Sequence, residues 1–172
     1  MQRVLVIGCS GAGKSVFARK LGEATGLPVV HLDRIYWRAG WNEPDSSEWR
    51  QAAIKLVREP RWIQDGNYGS TLDMRLSYAD TVFFFDTPRW TNLKGVLRRI
   101  WQHYGQTRPD LADGCPERID WSFLKYVWTF NHKQRPRTVA SLRAFNGTLV
   151  TFRRRVEADT YLRALSTTSN AA

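Results

Sequence analysis

Residues 8–15 read Gly-Cys-Ser-Gly-Ala-Gly-Lys-Ser, and this octet constrains the chain more than any other stretch. The apolar run Val4-Leu5-Val6-Ile7 before it reads as a short buried strand. Val16 to Thr25 follows, with Phe17, Leu21 and Ala24 at helical spacing on one face. A glycine-rich turn between a strand and a helix makes an anion cradle. Gly8, Gly11 and Gly13 let the backbone curl its N–H groups inward, and the helix start adds partial positive charge. Gly8, Cys9, Ser10, Gly11, Ala12, Gly13, Lys14 and Ser15 are therefore the candidate nucleotide-binding residues. In such a loop Lys14 reaches the β- and γ-phosphates of ATP, and Ser15 supplies a hydroxyl to Mg²⁺. A dinucleotide-binding fingerprint is excluded, because its glycine spacing differs and it has no task for Lys14-Ser15.

The 172 residues suffice for one domain with a real core. No apolar run approaches the length of a membrane helix, and a strand starting beside Met1 leaves no room for a signal peptide. Cys9 and Cys115 have no metal-ligand spacing, which argues against a zinc-clasped segment or a disulfide scaffold. The expectation is a reduced, cytoplasmic protein without a membrane partner. The net charge of +10 is uneven. Residues 1–88 carry eleven Lys/Arg and ten Asp/Glu, whereas residues 89–155 carry fourteen and four. The whole excess lies in that second segment, which either faces something anionic or repels itself.

Gly26 reads as a helix C-cap, and Leu27–Leu32 as a second strand ending at Asp33. Ligands in open α/β sheets meet the carboxyl ends of strands, so Asp33 is a candidate for orienting or deprotonating an acceptor hydroxyl. A carboxylate that caps nearby backbone fits the same position. Arg34, Tyr36, Trp37, Arg38 and Trp41 suit stacking on a ring, and equally suit packing within a loop. Asp45 and Glu48 form a capping box for a helix running to Glu59, stopped by Pro60. Trp62-Ile63-Gln64 is a third strand leading into Asp65, with helical turns over 71–79. Thr81–Phe85 is a fourth strand, and Thr87-Pro88 caps a helix to Tyr104 with Trp90, Leu93, Leu97, Ile100 and Tyr104 inward. Residues 105–119 form a loop or lid containing Arg108 and Arg118. Asp120 caps a helix over Trp121–Lys133, Pro136 precedes another, Thr148–Phe152 is a fifth strand and Glu157–Leu165 a last helix. The tail from Ser166 reads as frayed. Alternating strands and helices predict a three-layer α/β domain with a parallel five-stranded sheet.

The octet at Gly8–Ser15, Asp65-Gly66 and Phe85-Asp86-Thr87-Pro88 resemble the nucleoside-monophosphate kinases, adenylate kinases in particular. More narrowly, His31-Leu32-Asp33-Arg34, Asp65-Gly66-Asn67-Tyr68-Gly69 and the run from Arg108-Pro109-Asp110 through Gly114-Cys115-Pro116-Glu117-Arg118 resemble adenylate-kinase-related proteins labelled "DNA topology modulation protein". The kinase resemblance implies a P-loop NTPase fold of strand order 2-3-1-4-5. It also implies a substrate-binding insert at 34–60 and a basic helical lid segment at 89–146. It implies an ATP and Mg²⁺ site at Gly8–Ser15, with Asp65 near the metal and Arg99 on the transferring phosphate. Two departures stand out. Gly95 occupies the place of another lid-helix arginine, with Lys94 and Arg98 as neighbours to replace it. Gly69 stands where relatives carry the arginine that touches the acceptor phosphate.

Together these features predict an ATP-dependent phosphotransferase acting on a small acceptor. Lys14, Asp33, Asp65, Arg99, Arg108 and Arg118 are the candidate catalytic residues, and Ser15 and Asp65 the candidate Mg²⁺ ligands. The alternative is a nucleotide-regulated DNA-binding protein, in which Lys125, Lys133, Arg135, Arg137, Arg143 and Arg153 to Arg155 track a phosphate backbone.

Overall fold

The computed structural model describes residues 1–169. Its elements are β1 (Arg3–Gly8), α1 (Lys14–Thr25), β2 (Val29–His31), α2 (Leu32–Tyr36), α3 (Ser46–Arg58), β3 (Trp62–Asp65) and α4 (Gly69–Leu76). These are followed by β4 (Thr81–Phe85), α5 (Arg89–His103), α6 (Trp121–Lys133), α7 (Arg135–Arg143), β5 (Thr148–Phe152) and α8 (Arg155–Ser169). The five strands form one parallel sheet in the order β2-β3-β1-β4-β5.

Both sheet faces are covered, which is why β1 and β4 read as unbroken apolar runs. Side chains alternate across the sheet. Val4 and Val6 join Phe17, Leu21, Phe83, Phe85, Phe152 and Leu162 beneath α1 and α8. Leu5 and Ile7 join Val57, Trp62, Leu72, Leu76, Val82, Phe84 and Leu142 beneath α3, α4 and α7. A smaller cluster of Cys9, Val96, Ile100, Val127 and Phe130 seats the α5–α6 pair beside the glycine-rich loop.

Several boundaries differ from the sequence expectation. The second strand ends at His31, and Asp33 lies in the short helix α2 rather than at a strand end. Helix α5 begins at Arg89 with Pro88 as its N-cap, one residue later than expected. Its buried stripe is Asn92, Val96 and Ile100, whereas Trp90, Leu97 and Tyr104 are exposed. Hydropathy misleads there because α5 packs on the glycine-rich loop, which accepts a polar Asn92 bonded to the Thr87 carbonyl at 3.2 Å. Helix α8 starts at Arg155 and runs to Ser169, so Ser166 lies within helix. The rest of the expected frayed tail, Asn170 to Ala172, lies outside the described residues. No helix among the described residues is long and apolar enough to cross a membrane.

Candidate active site

The loop between β1 and α1 is held open from several sides. Gly8 and Gly13 take φ of 135° and 104°, a region that side chains resist, and so let the backbone curl between β1 and α1. The Gly8 N–H donates to Asn67 Oδ1 at 3.3 Å, and Lys14 Nζ donates to the Cys9 carbonyl at 2.9 Å. On the outside, Arg155 donates to the carbonyls of Gly11 and, at 3.2 Å, of Ala12. Gly95 of α5 lies so close that a Cβ there would overlap the Gly11 carbonyl and Arg155 Nη2. A larger residue at 95 is thus sterically excluded; Arg155 is the cation bonded to the loop, while Lys94 and Arg98, the neighbours suggested as replacements, are exposed. Cys9 is buried against α6, and burial pushes its thiol up to about 11, so it is a neutral packing group.

Three carboxylates come to the carboxyl edge of the sheet and have different surroundings. Tyr68 donates its hydroxyl to Asp33 Oδ1 at 2.6 Å. Burial raises the Asp33 pKa more than this bond lowers it; nearby Asp65 raises it further, while Lys14 and Arg108 oppose. Asp65, 5% exposed, contacts His31 Nδ1 through Oδ2 at 2.9 Å, and its Oδ1 has no hydrogen-bond partner among the described residues. The bond to Asp65 raises the His31 pKa against the opposing effect of burial. Asp86 is instead gripped by Arg135, Nε to Oδ1 at 2.5 Å and Nη2 to Oδ2 at 2.7 Å. Asp86 is therefore neutralised by a helix α7 arginine, and Asp65 keeps an open oxygen.

The turn carrying these groups is clamped from beneath. Arg75 is fully buried and donates to Thr71 Oγ1 and to the carbonyls of Gly66, Asn67 and Tyr68, at 2.5–3.2 Å. Tyr68 sits at φ 30°, a strained conformation that this clamp and the Asp33 bond maintain.

Residues 104–120 are folded down onto the site. Arg99 Nη2 donates to Glu117 Oε1 at 2.9 Å. Arg108 Nε lies 2.8 Å from Glu117 Oε2 as an ion-pair contact without hydrogen-bond alignment, and its Nη1 donates to Asp110 at 2.9 Å. Glu117 is buried between the two arginines. The segment latches onto the 38–41 turn: Gly40 N–H donates to the Gly114 carbonyl at 2.8 Å, Trp41 Nε1 to the Pro116 carbonyl at 3.0 Å, and Cys115 Sγ to the Arg38 carbonyl at 3.2 Å. Arg118 stays apart, over the Trp41 ring and 3.9 Å from Asp120.

Lys14, Asp65, Arg99 and Arg108 thus lie within electrostatic reach of Asp33, whereas Arg118 contacts the Trp41 ring and Asp120 instead. Glu117, His31, Asn67 and Tyr68 stood only in motifs of resemblance and Arg155 only in the DNA-binding alternative, so none of them was a candidate residue of this site. For Glu117 the signal existed: it is one of only four acidic residues between 89 and 155.

Ser15 and Asp65 suit a magnesium ion. Asp65 offers an unpaired buried oxygen, and the described residues contain no cluster of three or more acidic, His or Cys ligands. Magnesium is commonly held by one or two protein oxygens together with substrate phosphates, and these two residues match that pattern.

No family model matches the chain, and no curated protein matches it. Solved structures do resemble it. A shikimate kinase from Acinetobacter baumannii in complex with shikimate is 14% identical with TM-score 0.59, over 98% of this chain and 94% of that one. A deoxyadenosine kinase from M. mycoides with dCMP and dCDP bound is 10% identical with TM-score 0.54, over 98% and 99%. A gluconokinase from Sinorhizobium meliloti is 15% identical with TM-score 0.52, over 99% and 94%. With its 2-3-1-4-5 parallel sheet and glycine-rich loop after β1, the chain has the three-layer P-loop NTPase fold of these kinases.

Proposed function

We propose that this protein is an ATP-dependent phosphotransferase that moves the γ-phosphate of ATP onto a hydroxyl of a small molecule. The observation that supports it most is the convergence of Asp33 with Lys14 and Arg108: a carboxylate of raised pKa that feels both the loop lysine and the lid arginine. The kinase neighbours, one of them bound to shikimate, favour a small acceptor.

In this reading the N–H groups of Gly8–Ser15 hold the phosphates, and Lys14 leaves the Cys9 carbonyl to meet the β- and γ-phosphates. Ser15 and Asp65 would hold a magnesium ion, which would supply positive charge to offset that of the phosphates. Asp33 accepts the acceptor's hydroxyl proton, and its raised pKa keeps it basic enough for that task. The acceptor oxygen then bonds to the γ-phosphorus, and ADP departs with the electrons of the broken P–O bond. Arg99 and Arg108 face the charge that develops on the transferring group, and the folded-down lid excludes water. Arg118 receives no chemical role.

The test is an ADP-release assay over a panel of hydroxyl compounds, with the phosphorylated product identified. Lys14→Ala is expected to weaken Mg-ATP binding at least about tenfold with an unchanged far-UV spectrum. Asp33→Asn is expected to lower kcat about 10²–10⁴-fold while leaving ATP affinity nearly intact. Tight, nucleotide-dependent DNA binding at near-physiological salt, with no acceptor phosphorylated, would overturn the reading in favour of a DNA-binding protein.

A further inference from the structure

We infer that the outer face of helices α5 and α6 docks on an anionic lipid surface. The inference does not depend on the phosphotransferase reading. It answers what the excess positive charge of residues 89–155 faces.

Helix α5 turns Asn92, Val96 and Ile100 inward. On another side, Trp90, Leu97 and Trp101 return to within about 20° of one line along the helix. All three are exposed, Trp101 at 83%. Lys94 and Arg98, also exposed, border this line on one side, about 40° and 80° away. Helix α6 runs back alongside α5: Trp128 packs on Trp90 at 4.7 Å, centroid to centroid, and Arg99 lies over the Phe123 ring. This antiparallel pairing brings Trp121, 79% exposed, toward the end of α5 that carries Trp101. Lys125, one turn along α6 from Trp121, is exposed too. Neither helix contains an Asp or a Glu. Asp120, at the N-cap of α6, is turned to the Ser122 hydroxyl and the Phe123 N–H.

An exposed apolar row bordered only by cations fits a partner that is apolar beneath and negative above. The surface of an anionic bilayer is layered in that way. The indole rings and Leu97 enter the boundary between headgroups and acyl chains, and Lys94, Arg98 and Lys125 stay among the lipid phosphates. The row from Trp90 to Trp101 runs along about 16 Å of helix, so α5 lies flat on the surface. The contact is peripheral, since no described helix is long and apolar enough to cross a membrane. A second copy fits less well: a two-fold pairing through this face sets the same cations against each other with no carboxylate to separate them. A nucleic acid would meet the cations, but Leu97, between the two tryptophans, offers a base no ring to stack on.

The experiment is co-sedimentation of the full chain with vesicles of phosphatidylcholine alone or with about one-third phosphatidylglycerol, in about 0.1 M sodium chloride. Wild type is expected to bind the anionic vesicles at least about tenfold better than the neutral ones. Leu97→Ser/Trp101→Ser keeps every charge, and Lys94→Glu/Arg98→Glu keeps every ring. Each is expected to lose at least about tenfold in affinity for the anionic vesicles with an unchanged far-UV spectrum, because all four side chains are exposed. Arg50→Glu/Arg58→Glu makes the same change of net charge on α3 and is expected to lose only a few-fold. Absence of binding to anionic vesicles overturns the inference, and so does an α3 variant that loses as much as the α5 charge variant, which would leave net charge alone as the cause. Two further results overturn it. One is a wild-type dimer in sedimentation that Leu97→Ser/Trp101→Ser converts to monomer. The other is binding of a single-stranded oligonucleotide in the same buffer that this variant abolishes while vesicle binding is unchanged.

Discussion

At the scale of single residues, two carboxylates that look alike in sequence are made unlike by their neighbours. Asp65 and Asp86 both follow apolar strands, and the longer run before Asp86 favours it as a metal ligand by spacing alone. In the folded chain Asp86 is neutralised by Arg135, while Asp65 keeps Oδ1 unpaired beside the loop. The two substitutions should therefore separate. Asp65→Asn is expected to lower Mg²⁺-dependent turnover about 10²-fold with little change in stability. Asp86→Asn is expected to cost about 1–3 kcal/mol of stability by leaving Arg135 without its carboxylate, and to change turnover only a few-fold. Turnover assays and urea unfolding on both variants check this, and the opposite ranking would place the metal at Asp86.

At the scale of elements, the contact between α5 and the phosphate loop sets the site. Helix α5 approaches so closely at Gly95 that the loop's Gly11 carbonyl and Arg155 fill the volume of any larger residue. Gly95→Ala inserts a methyl group against backbone, which cannot swing away as a side-chain tip does. The variant is expected to lose about 1–3 kcal/mol of stability and about tenfold in nucleotide affinity, while Lys94→Ala, on an exposed part of the same helix, changes neither by more than a little. Urea unfolding and nucleotide titration decide the matter. An unperturbed Gly95→Ala would mean that α5 and the loop are not rigidly coupled. The lid is likewise an element-level device. It is fixed to the 38–41 turn by one backbone bond, Gly40 N–H to the Gly114 carbonyl, and by two side-chain donors, Trp41 and Cys115, to backbone carbonyls, so its seating depends on those two side chains as well.

At the scale of the whole molecule, charge is the unbalanced quantity. The excess of +10 is confined to residues 89–155, and several of these basic groups are paired internally: Arg99 and Arg108 with Glu117, Arg135 with Asp86, and Arg154 with Glu157. The remainder repel one another across α5, α6 and α7. Raising salt from about 0.01 M to about 1 M shortens the screening length from about 30 Å to about 3 Å, which should relieve this repulsion. The thermal midpoint of the apoprotein is expected to rise by about 2–4 °C in sodium chloride, corresponding to about 1 kcal/mol. A falling midpoint would show that the ion pairs contribute more than the repulsion costs.

The sequence by itself determined the phosphate loop, the alternation of strands and helices, and the capping of α3 and α6. Each is local: a glycine spacing, a period of two or 3.6, or a side chain reaching three residues along, as Asp120 does to the Phe123 N–H. Strand neighbours were legible only through resemblance, because periodicity says which residues are buried and not beside which strand. Tertiary structure alone decided the rest. It chose Asn92 and Val96 over Trp90 and Leu97 as the inner face of α5: their turn of the helix lies against Gly11, with the Asn92 side chain satisfied by Thr87 and Val96 packed in the cluster of Cys9, Ile100, Val127 and Phe130. It bonded Asp33 to Tyr68 across 35 residues, and buried Glu117 between Arg99 and Arg108. Such pairings depend on which segments the chain brings together through space, and no spacing along the sequence encodes that distance.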